Sequence, residues 1–283
     1  MSENDAPSAP HEDGAATEVI DGIRSLHGRI DELHRLVALR HEAGGMHAGE
    51  RLSARAGTAR AVLPAWRRKT QGEPRWPVAV ITAVGIALQV GVPEHLLLVS
   101  PFWIFPAAQG VLLVVLVAAN PHRINRESMA LRSLSLVLAA MLSLANGWSV
   151  VWLAIGITRG TMGHQPGQLL TTGGVIWLTN VVAFGLWYWE FDRGGSVARA
   201  LNLKNRYPDF QFPQMTSPEM APPDWEPAFV DYLYVAFTNA TAFSPTDVMP
   251  MSRWAKIAMT VQSLISIVTV ALVVARAVNI LPS

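Results

Sequence analysis

The densest run of side chains able to handle an ion or a polar solute is Thr238-Asn239-Ala240-Thr241-Ala242-Phe243-Ser244-Pro245-Thr246-Asp247. Hydroxyl and carboxylate oxygens at Thr238, Thr241, Ser244, Thr246 and Asp247 can line a polar path for a monovalent ion. They sit in otherwise apolar sequence, where polar groups are costly and mark function. Gln262, Ser266 and Thr269 follow at a spacing that puts them on one helical face. Such a face either packs against neighbouring helices or lines water, and the residue types alone do not choose. Asn146 and Asn180 interrupt two other apolar stretches and are candidates for hydrogen bonds between helices, each worth on the order of 1 kcal/mol.

Catalysis has no comparable footing. No P-loop, dinucleotide fingerprint, nucleophile elbow or metalloprotease helix occurs, and His41 and His47 miss the four-residue spacing that a zinc helix requires. With no cysteine in the chain, thiolate metal sites, iron–sulfur centres, disulfides and cysteine nucleophiles are all excluded. The sequence therefore gives no reason to expect an enzyme, a cofactor or a metal site. A net charge of +1 gives none to expect a nucleic-acid partner.

The elements that must carry these residues are apolar helices. The chain has 283 residues, 51% hydrophobic and only 15% charged, against about 25% charged in ordinary soluble domains. A helix needs about 20 mainly apolar residues to cross a bilayer. Stretches of that kind run over residues 77–98, 102–119, 131–157, 169–189 and 254–281. The fold class expected is an all-α, polytopic helical membrane protein with five or six transmembrane helices. Residues 229–249 are the ambiguous sixth, apolar but studded with polar side chains.

Basic residues decide the orientation. Eleven (Arg67, Arg68, Lys69, Arg75, Arg123, Arg126, Arg132, Arg193, Arg199, Lys204 and Arg206) fall on one side of the five stretches. Three (Arg159, Arg253 and Lys256) fall on the other if 229–249 crosses. The expectation is a multi-pass protein of the bacterial inner (plasma) membrane with a cytoplasmic N-terminus and residues 229–249 crossing fully. Trp66, Trp76, Trp103, Trp187 and Trp189 stand at span ends, where an indole is favoured as an interfacial anchor.

Flanking segments divide by composition. Residues 1–15 are polar and acidic and read as a disordered tail. Within 16–42, Ile23, Leu26, Ile30, Leu33 and Val37 step by three and four, a heptad seam with β-branched residues at a and leucine at d. This helix either assembles chains as a coiled coil, giving a homo-oligomer, or docks on its own chain or the bilayer surface. His27, His34 and His41 flank the seam one heptad apart, about 10 Å along the axis, too far to share a metal within one chain. A basic linker spans 43–76. After the fourth span, residues 191–227 hold Pro208, Pro213, Pro218, Pro222, Pro223 and Pro227, which forbid a continuous helix and imply a cytoplasmic strap. Tyr207, Phe210, Phe212 and Trp225 suit such a strap for packing, and a partly ordered linker is the other reading.

The order Asp231-Tyr232-Leu233-Tyr234-Val235-Ala236-Phe237, then a Thr-rich segment, Asp247, Pro250 and a long apolar helix, resembles the pore helix, filter and inner helix of the two-helix potassium-channel pore family. It resembles more closely a family of bacterial integral membrane proteins defined by a domain of unknown function. That family has a similar Phe-Pro strap, a Tyr-Leu-Tyr-Ala-Phe-Thr-like helix and a Ser/Thr-Asp turn, and the likeness covers residues 207–281. The channel resemblance implies a pore loop before the last span. If Asp247 matches the aspartate that closes the T-x-G-Y-G-D filter, Ser244 and Thr246 occupy glycine places and Pro245 the tyrosine place. Those filters use backbone carbonyls at angles that glycine supplies and proline cannot. The sequence thus implies a channel-like or transport-related oligomer without potassium-type selectivity, or a noncatalytic scaffold or sensor assembled through its N-terminal helix.

Replacing Ile30 by Asp separates the two readings of the seam: if it assembles chains, the oligomer measured in detergent by light scattering becomes smaller, and an unchanged mass leaves only docking.

Overall fold

In the computed structural model the described residues are 26, 28–35, 64–120, 128–162, 165–202, 207–241 and 247–280. The tail 1–15, Ile23, Val37, His27, His41 and the turn 242–246 with Ser244 and Thr246 lie outside them. The chain forms two compact units, Met1–Leu63 and Pro64–Ser283. In the first, residues 28–35 are helical, and Leu26, Ile30 and Leu33 are all exposed.

The second unit is a helical bundle. Its elements are α1 (Trp76–Val90), α2 (Ile104–Ala119), α3 (Met129–Thr158), α4 (Pro166–Phe191), the short α5 (Ser196–Leu201), β1 (Phe210–Gln211), the one-turn α6 (Pro213–Thr216), α7 (Phe229–Thr241), β2 (Met249–Pro250) and α8 (Arg253–Asn279). Among the described residues three helices, α3, α4 and α8, are long and apolar enough to cross a membrane. The first two expected spans are shorter than the sequence suggested. Helix α1 has 15 residues and α2 has 16, about 22–24 Å at 1.5 Å per residue. Gly91 and Pro93 end α1 eight residues before the apolar run does, and Pro101 delays the start of α2.

Helix α4 is the hub, packing against α1, α3, α7 and α8. Between apolar helices in lipid the attraction is van der Waals contact, so close approach through small residues matters more than side-chain bulk. A β-carbon at Gly173 would stand 2.7 Å from Val273 Cγ2 on α8, and one at Gly185 would stand 3.3 Å from Leu233 Cα on α7. Polar pairs pin other contacts of the bundle. Gln89 on α1 and Gln109 on α2 exchange amide hydrogen bonds, with Gln89 Nε2 donating to Gln109 Oε1 at 2.6 Å. Ser149 on α3 donates to Leu96 O at 3.0 Å.

The segment between α4 and α8 does not run through the bundle. Phe229, at the start of α7, meets Trp189 ring to ring near the end of α4. Helix α7 has 13 residues, about 20 Å. The chain is back at the same end by β2, which pairs antiparallel with β1 through Phe210 opposite Pro250. Trp254, opening α8, stacks edge-on against Phe191, the last residue of α4. The full crossing expected for 229–249 is thus replaced by a helix that goes partway and returns. The apolar length that suggested a span is divided between α7 and the return to β2.

The strap packs rather than floats. Phe210 and Phe212 are buried, with Phe210 among Tyr188, Tyr232 and Trp254 at ring separations of 5.0, 6.2 and 5.6 Å. Tyr207, by contrast, is exposed.

Substituting Gly173 by Leu forces α4 and α8 apart, and an overpacked interface costs about 1–3 kcal/mol. The variant is expected to melt earlier in detergent than the wild type, whereas Gly174→Leu, where a β-carbon meets nothing within 4 Å, leaves the melting temperature nearly unchanged.

Candidate functional site at the strap end of the bundle

The sequence-derived polar residues separate into two groups. Gln262, Ser266 and Thr269 do share a face of α8, and it is buried, so the stripe packs. Gln262 donates to Ala236 O at 2.8 Å and accepts from Tyr188 OH at 2.6 Å and Asn239 Nδ2 at 2.8 Å. Asn180 donates to Ser266 Oγ at 3.0 Å, the bond between helices that was expected, and Ser263 donates to Asn239 Oδ1 at 3.1 Å. Together these tie α4, α7 and α8 into one polar seam. Asn146 is buried on α3 and lines a cavity of about 20 Å³ beside Gln89 and Thr179.

Thr238 and Thr241, by contrast, are half-buried and donate their hydroxyl protons within their own helix, to Tyr234 O at 2.9 Å and Thr238 O at 2.7 Å. Their oxygens keep acceptor lone pairs. Asp247 is exposed.

A charged cluster that sequence reasoning missed lies where α4 ends. Asp192 is fully buried; its carboxylate accepts from Tyr232 OH at 2.5 Å and Asp209 N at 2.8 Å. Asp209 returns the favour, accepting from Arg193 N at 2.9 Å and Trp254 Nε1 at 2.8 Å. Arg193 stands in the left-handed region at φ 51°, held by Nη1 donating to Trp66 O at 2.7 Å. Arg199 donates to Trp189 O at 2.6 Å and Asp192 O at 3.1 Å, pairs with Glu73 Oε1 at 3.3 Å, and lies over the Tyr232 ring at 4.9 Å. Glu73 also accepts from Trp189 Nε1 and, through Oε2, from Phe229 N at 2.7 Å. That last bond satisfies a free amide at the start of α7, where a negative charge is favoured.

Burial raises the Glu73 carboxyl above its ordinary value, against the pull of Arg199 and the Trp189 and Phe229 hydrogen bonds. Burial likewise lowers the Arg75 guanidinium, against Glu190 and Glu73. Arg75, Arg193 and Arg199 are buried, and so are Trp66 and Trp189, which were expected as interfacial anchors. Trp76 and Trp103 are exposed as an anchor should be. The available signal was adjacency: Trp189-Glu190-Phe191-Asp192-Arg193 places three charges against aromatics at a span end.

Beside the cluster is a cavity of about 410 Å³, whose lining includes the polar residues Arg75, Asn120, Arg132, Ser135 and Glu190 and the apolar residues Leu116, Met129 and Leu131. Ser135 Oγ is hydrogen-bonded to Glu190 Oε1. A second cavity, about 330 Å³ at the other end of the bundle, has His95 as the only ionisable residue among the described residues of its lining. No group of three or more His, Asp or Glu residues able to hold a metal occurs among the described residues.

Compared with known proteins, the chain matches no family model, no curated protein and no solved structure. Fold and site define a class: a helical protein with three helices able to cross a membrane and a buried ionic cluster at one end of the bundle.

Two outcomes follow for the cluster. Arg199→Ala removes the ion pair of Glu73 and the donor to the carbonyls of Trp189 and Asp192, and removing one partner of a buried pair costs about 3–5 kcal/mol, read as a large drop in melting temperature. Because the folded value of Glu73 is raised, the folded state binds its proton more tightly than the unfolded chain does. Its stabilisation is complete below the ordinary 4.5 and is lost as pH rises through the raised folded value. The melting temperature of the wild type minus that of Glu73→Gln is therefore expected to shrink as pH is raised from 4.5 towards neutrality, and a growing difference contradicts the assignment.

Proposed function

We propose that the protein is a channel-like, homo-oligomeric integral membrane protein of the bacterial inner membrane, with a cytoplasmic N-terminus and no potassium-type selectivity filter. Helix α7 and the segment returning from it contribute Thr238, Thr241, Ser244, Thr246 and Asp247 to a polar path for monovalent ions between subunits. The observation that supports this best is the course of α7: it starts beside Trp189, runs partway along the bundle, and the chain returns to β2 before α8 begins. A helix that enters partway, a return segment and a long inner helix are the parts from which pore loops are made. Non-helical backbone is tolerated at membrane depth only where protein or water covers it. The hydroxyls of Thr238 and Thr241 suit a cation, since each donates to its own helix and offers lone pairs outward.

In this arrangement the strap end faces the cytoplasm. Arg253 and Lys256 join it, leaving Arg159 and Arg276 as the basic residues at the opposite end among those described, which strengthens the charge bias. Five crossings, with α1 and α2 short, then put the C-terminus outside. Ser252, capping α8, is accordingly on the inside. A cysteine placed there is expected to react with an impermeant maleimide only in inverted vesicles, and labelling of intact cells reverses the orientation.

A second reading, a noncatalytic scaffold or sensor, is favoured by the exposed seam of Leu26, Ile30 and Leu33. Flux separates the two. Reconstituted protein is expected to pass K⁺ or Na⁺, with Asp247→Ala or Thr238→Val lowering the rate at least tenfold. Silence towards every monovalent cation from folded, oligomeric protein favours the scaffold.

A further inference from the structure

The strap-end cavity contains a guanidinium that the fold meets with the through-space charge of Glu190 and Glu73 but with no hydrogen bond at Nε. Arg75 is 7% exposed, and its Nε has no hydrogen-bond partner among the described residues. A buried guanidinium without an acceptor costs several kcal/mol, and the other buried arginines of this end, Arg193 and Arg199, are bonded to carbonyls and carboxylates. Arg75 and the half-buried Arg132 line the same cavity. The one carboxylate among the described residues of that lining, Glu190, accepts from Ser135 and lies within electrostatic reach of both arginines. The described wall therefore carries two cations against one anion, and a ligand that completes it brings negative charge and paired acceptor oxygens.

The shape restricts the ligand further. At about 410 Å³ the cavity falls in the range of small-molecule sites, about 300–1,000 Å³. Its lining combines Arg75, Arg132, Asn120 and Ser135 with the apolar side chains of Leu116, Met129 and Leu131. It lies where α2 ends, α3 begins and α4 ends, the depth of lipid headgroups if α3 and α4 cross the bilayer. Guanidinium forks match phosphate oxygens in pairs, and basic pockets between membrane helices at this level hold phosphate headgroups.

We infer that this cavity binds a phosphate ester, with Arg75 and Arg132 on the phosphate oxygens and the apolar wall against the group that the phosphate carries. The phosphate can belong to a membrane lipid or to a soluble phosphate compound, and the two sources are separable.

Full-length protein in phosphate-free maltoside detergent is titrated calorimetrically with dioctanoyl phosphatidylglycerol, with dioctanoylglycerol, which lacks the phosphate, and with inorganic phosphate. The expected result is binding of the phosphatidylglycerol and none of the dioctanoylglycerol. Arg132→Gln weakens binding at least tenfold. Arg75→Lys, which keeps the charge and loses the fork, weakens it severalfold. Binding of the lipid without inorganic phosphate assigns a headgroup, whereas comparable binding of both assigns a soluble phosphate. Arg132 makes no ion pair among the described residues, so its variant is expected to fold like the wild type, which the melting temperature checks. Equal affinity for dioctanoylglycerol and phosphatidylglycerol, wild-type affinity in Arg132→Gln, or no binding of either phosphate probe overturns the assignment.

Discussion

The structure depends on a rule of low-dielectric media: a charge removed from water must be met by opposite charge or by oriented hydrogen bonds, or the fold opens to hydrate it. Glu73, Asp192, Arg193 and Arg199 obey it collectively. Asp192 draws on Tyr232 and on the backbone of Asp209; Arg199 draws on the carbonyls of Trp189 and Asp192 and on Glu73. Each partner comes from a different part of the chain: the segment before α1, the end of α4, the strap, and α7. Satisfying these few charges therefore fixes how four remote segments meet.

That knot explains why a helix as short as α7 can hold its course. Thirteen residues of isolated helix are marginal. Here the first turn is capped by Glu73 and by Asp231, which accepts from Ala228 N at 2.8 Å. Its middle packs on α4 where Gly185 lets Leu233 approach. Near its far end Asn239 is bonded to Gln262 and to Met259 O. The β1–β2 pair then returns the chain to the knot, where Asp209 receives the Trp254 indole.

The same end of the bundle contains the cavity, and the contrast between neighbours is informative. Arg193 and Arg199 are consumed by the fold, whereas Arg75 and Arg132 face open volume. Charges used for architecture and charges that line the cavity lie at the same end of the bundle, and composition treats them alike. The amides of the bundle show the opposite case: Gln262, Asn180 and Asn239 are polar groups in largely apolar helices, yet they are bonded into the α4–α7–α8 seam.

Much of the helical content was legible in the residue order, because an apolar run of about 20 residues has few alternatives to a helix that bonds its own backbone. The third, fourth and last apolar runs became α3, α4 and α8 within a few residues, and the alignment of Gln262, Ser266 and Thr269 followed from the 3.6-residue period. Local chemistry of that kind travels with the sequence. What only the tertiary structure decided was where chains of partners close: that residues 229–249 turn back instead of crossing, that Trp189 and Arg199 are buried, and that Arg75 Nε lacks a hydrogen-bond acceptor while Arg199 has three partners. The reason is physical. Hydrophobic length and periodicity are properties of neighbours along the chain, whereas the cost of a buried charge depends on groups more than a hundred residues away.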